Sequence, residues 1–206
     1  MIKDLNIALI GCGNWGKNIA RNLYQMGSLT CIYDSNIKLS EKLSYDYSLP
    51  TLELNKIFKD HNINAIVIAS PAMTHKDIAI EALNNDKDVF IEKPFCLSLP
   101  DAQKLSELAT NKNKVLMVGH LLNYHNAFIE MKELIKNGKI GVTKNIRANR
   151  QALGAIRSKE SVIYDLSAHD ISMILSIAFR SSALSSMMFG RIIFWSMTKA
   201  ISLEKI

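Results

Sequence analysis

"GCGNWG", residues 11 to 16, is a G-x-G-x-x-G hexapeptide whose flanks decide the architecture. Upstream, "LNIALIG" (5 to 11) is a short apolar run ending on glycine, as a strand buried in a parallel sheet should read. Downstream, residues 14 to 26 set Ile19, Ala20 and Leu23 on one helical face. Strand, glycine turn and helix together give the motif a physical meaning. Gly11 permits the tight turn, Gly13 lets the backbone approach a bound group, and Gly16 allows close helix packing. Asn14 and Trp15 complete the loop, and the helix start offers free N–H groups and a favourable dipole to a phosphate.

The same alternation continues outward. "LTCIYD" (29 to 34), "NAIVIAS" (64 to 70), "DVFIE" (88 to 92) and "KVLMVG" (114 to 119) read as strands. Helical patterns occupy 52 to 59, 74 to 84 and 101 to 111. Strands separated by helices require right-handed crossovers, so residues 1 to 121 are expected to form an α/β domain with a Rossmann doubly wound parallel sheet. Near residue 120 the rhythm changes. Phe128, Met131, Leu134 and Ile135 mark an amphipathic helix closed by Gly138 as a C-cap. "VTKNIRANRQ" (142 to 151) reads as a strand with one wet face, and 162 to 177 as a helix. Residues 122 to 177 are therefore expected to open an α+β second domain, left incomplete, with 178 to 206 as a tail.

Composition narrows the function classes. A chain of 206 residues has room for one substantial domain and part of a second. Its N-terminus lacks the apolar core and cleavage site of a signal peptide, and no apolar stretch reaches the roughly 18 residues of a membrane span. Cys12, Cys31 and Cys96 are widely spaced and follow no metal-ligand pattern, so they read as free thiols in a reducing, cytoplasmic setting, with no metal site. The net charge of +6 is scattered, apart from a tail in which Arg180, Arg191, Lys199 and Lys205 face only Glu204. Without a basic stripe or aromatic platform, a nucleic-acid partner is not expected, whereas an anionic small molecule suits a mildly positive cleft.

The strand ends supply the candidate ligands. Asp34 follows the second strand about twenty residues after Gly13, where an acid accepts hydrogen bonds from a ribose and repels a 2′-phosphate. The cofactor expected is thus NAD rather than NADP. "ASPAMTH" (69 to 75) ends another strand, so Ser70 and Pro71 are expected to line the dinucleotide cleft. His75 belongs either with them or to an ordinary first helical turn. "IEKPF" (91 to 95) also lies at a strand's carboxyl end, which aims Glu92 and Lys93 at the same cleft, with Pro94 limiting the local backbone.

"GCGNWG", "ASPAMTH", "DVFIEKPFCLS", "VGHLLNYH" and "DLSAHD" occur in an order and spacing that resemble the Gfo/Idh/MocA oxidoreductases over roughly residues 1 to 175. Within that family, the stretches after residue 119 look most like enzymes oxidising the C3 hydroxyl of UDP-N-acetylglucosaminuronate. The resemblance implies a catalytic triad of Lys93, Asp165 and His169. Oxidising a secondary alcohol sends a hydride to nicotinamide and a proton to a base. The ordinary pKa of histidine suits His169 to that proton, Asp165 would orient the imidazole or stabilise its charged form, and Lys93 would hydrogen-bond the reacting oxygen. Lys93 as the base itself is the alternative. Tyr124 and His125 follow a strand end and are substrate-contact candidates, while Arg150 and Arg157 suit a carboxylate or diphosphate.

After Ile177 the resemblance stops. Relatives continue through a large antiparallel sheet that floors the active site and commonly forms a homo-oligomer interface, so the same assembly is not expected here. A truncated or frame-shifted gene would give such a tail, as would a divergent segment that docks on a partner. Three functions follow: an NAD-dependent oxidoreductase of sugars or nucleotide sugars, a dinucleotide-binding protein without turnover, or an interaction protein using its basic tail.

Overall fold

The computed structural model describes residues 5–150 and 167–178, and the chain divides into two compact units, Met1–Gly119 and His120–Ile206. The first is built on five parallel strands, β1 (Ile7–Ile10), β2 (Leu29–Tyr33), β3 (Ala65–Ile68), β4 (Asp88–Ile91) and β5 (Leu116–Val118), in the order β2-β1-β3-β4-β5. Helices α1 (Asn14–Gln25), α2 (Ile37–Tyr47), α3 (Leu54–Lys59), α4 (Ala72–Asn84) and α5 (Leu99–Asn111) make the crossovers. This is the doubly wound sheet that the alternation predicts.

Side-chain alternation explains why these strands are apolar throughout. Ala8, Ile10, Ile66, Ile68, Val89 and Ile91 pack on one face with Ile57 of α3, Leu83 of α4 and Leu105 of α5. Leu9, Ile32 and Val67 pack on the other with Ala20 of α1 and Leu43 of α2. Both faces are covered, so successive residues of β1 and β3 are buried and a continuous apolar run replaces a period of two, while the edge strand β5 leaves Met117 exposed. The helix ends are set locally. Asn36 caps α2 by accepting from Lys38 N–H, and Ser98 caps α5 by accepting from Asp101 N–H. Lys87, just before β4, is buried and its Nζ donates to the carbonyls of Asp60 (2.6 Å) and Ile63 (2.8 Å); burial pushes its pKa down. That lysine joins two segments at the amino end of the sheet.

In the second unit a 3-10 turn (Leu121–Tyr124) leads into α6 (Asn126–Lys136), and α7 spans Ala168–Ala178. Gly138 follows the C-cap Asn137 with φ +67°, the position its sequence context predicts. The strand expected over 142 to 151 is not observed: residues 142–150 carry no regular element, and Val142 is 80% exposed. Among the described residues no second strand is available to pair with it, and a lone strand leaves its N–H and C=O groups to water. No described helix is long and apolar enough to cross a membrane.

Candidate functional site

The strand order reverses between β1 and β3, and the crevice at such a reversal is where an open α/β sheet takes its ligand. The glycine loop fills one wall of it. Gly11 has φ +103°, and a Cβ there would strike the backbone of Ala69 and Ser70. At Gly16 a Cβ would strike the Gly11 carbonyl, so α1 seats directly on the turn. Gly13 differs: a Cβ there would meet nothing within 4 Å. Its missing side chain leaves open space in front of the first turn of α1, which has neither a side-chain cap nor an acidic residue. Free N–H groups beside a cradle that a Cβ would fill suit a pyrophosphate.

Asp34 lies just beyond β2 and fixes that loop. Its Oδ2 accepts from Cys12 N–H at 2.6 Å and its Oδ1 from Asn36 N–H at 2.7 Å. Each oxygen retains capacity for a ribose hydroxyl. The residues present therefore fit NAD. Burial first, and then Asp34, push the Cys12 thiol pKa up to about 12, which disfavours the thiolate. Burial likewise pushes Cys31 up to about 12, and all three cysteines are free. No metal-binding cluster occurs among the described residues.

Across the crevice, Glu92 is the organising group. Its Oε1 accepts from the Trp15 indole Nε1–H at 2.6 Å, which ties the glycine loop to the end of β4. Its Oε2 accepts from Lys93 N–H at 3.2 Å. Gly119, at the end of β5, makes room for it, since a Cβ there would lie 2.9 Å from Oε1. Burial raises the Glu92 pKa, and the bonds from Trp15 and Lys93 N–H oppose that rise. Lys93 is half-buried, and its peptide bond to Pro94 is cis. Ser70 Oγ pairs with Thr74 Oγ1 at 2.7 Å, and Pro71 is the N-cap residue of α4. His75 is buried, with its ring nitrogens on two backbone carbonyls.

The second unit holds the remaining candidates. His169 is buried on the first turn of α7, with its ring edge-on to His120 at 6.2 Å between centroids. Tyr124 is 64% exposed, and His125 caps α6 by accepting from Ala127 N–H. Arg150 forms a two-point pair with Asp170, at 2.7 and 2.9 Å, so its guanidinium is already engaged by this chain. Asp165 and Arg157 lie outside the described residues. Sequence reasoning missed Gly119, Asn36, His120 and Asp170. Gly119 left a signal as the glycine ending the "KVLMVG" strand, and His120 and Asp170 as members of the "VGHLLNYH" and "DLSAHD" stretches, whereas Asn36 left none.

Comparison with known proteins agrees with this fold. A family model described as an oxidoreductase family with an NAD-binding Rossmann fold matches residues 5–120. The chain is 31% identical over 143 residues to 2,7-anhydro-N-acetylneuraminate hydratase of Escherichia coli, covering 66% of this chain and 37% of that protein. To scyllo-inositol 2-dehydrogenase (NAD(+)) of Bacillus subtilis it is 27% identical over 180 residues, covering 82% of this chain and 53% of that one. Among solved structures, GenD2 from gentamicin A biosynthesis in complex with NAD superposes with a TM-score of 0.64 and 26% identity, covering 68% of this chain and 41% of GenD2. The chain thus spans between about a third and a half of the length of these relatives.

Proposed function

The chain belongs to the Gfo/Idh/MocA oxidoreductases, and from that premise we propose that it oxidises a secondary hydroxyl of a sugar or nucleotide sugar, of the UDP-sugar uronate type. The observation that supports this reading is the bond from Trp15 of the glycine loop to Glu92, the residue before Lys93. Bound NAD supplies the hydride acceptor. Gly13 and the start of α1 hold the pyrophosphate, and Asp34 holds the adenosine ribose. Lys93 donates a hydrogen bond to the reacting oxygen and favours the negative charge that develops there. His169 takes the hydroxyl proton, and Asp165 orients its imidazole. The named relatives act on ring-shaped polyols or sugar acids, which supports a polyhydroxylated substrate.

The test is a panel of inositols, sugar acids and UDP-sugars, including UDP-uronates, offered with NAD to the full chain. NADH absorbance should rise with at least one sugar or nucleotide sugar, with the oxidised product seen by mass spectrometry. Net hydration of a substrate without NADH accumulation would replace this reading with a hydratase. No turnover with intact NAD binding would leave a dinucleotide-binding protein.

A further inference from the structure

His75 stands on the first turn of α4, where a polar side chain ordinarily meets solvent, yet it is 1% exposed. Its Nδ1 lies 2.9 Å from the Pro94 carbonyl oxygen and its Nε2 2.9 Å from the Ser70 carbonyl oxygen. Ser70 closes the turn that leaves β3, and Pro94 is the residue after Lys93. The ring therefore spans the carboxyl ends of two neighbouring strands. Carbonyl oxygens only accept, so the imidazole donates one N–H in either neutral tautomer and two when doubly protonated. With both ring nitrogens turned onto the chain's own backbone, His75 offers no polar atom to a dinucleotide. This geometry argues against the cofactor contact that its sequence position suggested.

Resting on the reading of Lys93 as the residue at the reacting oxygen, we propose that His75 is a positioning residue for that lysine, its Nδ1–H fastening the Pro94 carbonyl to the first turn of α4, which follows directly on β3. The Lys93 backbone is then held from both sides. Ahead of it, Glu92 accepts the Lys93 N–H and is itself held by Trp15; behind it, His75 holds Pro94. A lysine side chain is a flexible four-carbon stem, so its ammonium is placed no better than the backbone it leaves. Productive geometry tolerates only ~0.5 Å of looseness, and a misplacement of about 1 Å can cost up to ~100-fold in rate.

Two variants of the full chain test this. His75→Leu keeps the bulk and removes the ring N–H, while His75→Gln retains an amide N–H for one carbonyl. Thermal melts establish that each is folded, and calorimetry measures NAD affinity. Trace acetylation with an isotopic anhydride, read by mass spectrometry, then compares the reactivity of Lys93 with that of Lys17 and Lys42 as internal references. The Lys93 rate should change at least about threefold in His75→Leu and less in His75→Gln, with Lys17 and Lys42 unmoved, since amine reactivity follows local environment. Where a sugar substrate is found, kcat should fall about ten- to a hundredfold with KM and NAD affinity nearly constant, and His75→Gln should recover part of it. A folded His75→Leu protein with native Lys93 reactivity overturns the proposal. Absence of turnover in the unmodified chain would instead count against the oxidoreductase reading, while the labelling result still decides the role of His75.

Discussion

At Asp34 both carboxylate oxygens accept backbone N–H groups, from Cys12 and Asn36, before any ribose hydroxyl is considered. Asp34→Ala should therefore have two effects. NAD should bind better than NADP in the unmodified chain, and the variant should narrow that gap because the 2′-phosphate no longer meets a negative charge. The variant should also lose about 1–3 kcal/mol of stability, because the Cys12 N–H is left unpaired in a part-buried loop. Calorimetric titration and chemical denaturation measure the two; tighter NADP binding by the unmodified chain would defeat the first. Lys93→Met is expected to act on rate alone. It should lower kcat by about 100-fold or more while NAD affinity stays within a few-fold, and His169→Ala should do likewise. Unchanged kcat in Lys93→Met would return that lysine to an ordinary surface charge.

Among the elements, the loop from β1 into α1 separates folding from binding glycine by glycine. Gly16→Ala drives a methyl group into the Gly11 carbonyl, and backbone cannot yield as a side-chain tip does. A loss of about 1–3 kcal/mol or more is expected, read as a lower melting temperature. Gly13→Ala meets only open space, so the melting temperature should hold while NAD affinity drops about tenfold. Equal melting losses in the two variants would contradict this division. The loop was legible because its glycines, its strand and its helix are contiguous in sequence. Helix α2 was not, since Ile37–Tyr47 buries only Ser40 and Leu43 and so lacks a clear apolar stripe. The strand expected over 142 to 151 failed for the opposite reason. Its alternating pattern was visible, but pairing depends on a neighbour that local pattern does not supply. The Trp15–Glu92 and His75–Pro94 bonds join residues 77 and 19 positions apart, and no spacing rule announces such partners.

For the molecule as a whole, everything proposed to hold NAD belongs to the unit ending at Gly119. All five strands and both packed faces of the sheet lie in it as well. A chain ending at Gly119 should then fold and bind NAD within about threefold of the full chain, a difference under ~1 kcal/mol. Circular dichroism and calorimetry check it, and loss of binding by a folded fragment would show that residues beyond 119 complete the site. The same fragment should oxidise nothing, because His169 is missing.

The indole that ties the glycine loop to Glu92 is also an optical probe. The chain has two tryptophans, and Trp195→Phe would leave Trp15 as the sole emitter. Excitation moves electron density in an indole from the pyrrole ring towards the benzene ring, so a negative charge beside Nε1 lowers the emitting state and shifts its light to the red. Protonating Glu92 removes that charge, and the emission should move to the blue as pH falls. Burial raises the Glu92 pKa, so the colour change should be centred above the ordinary value of 4.5. The charged carboxylate is the form disfavoured by folding, so stability should decline as pH rises through that range, and the colour change marks where. A spectrum that stays fixed across the carboxylate range would show that Glu92 does not change charge beside the ring.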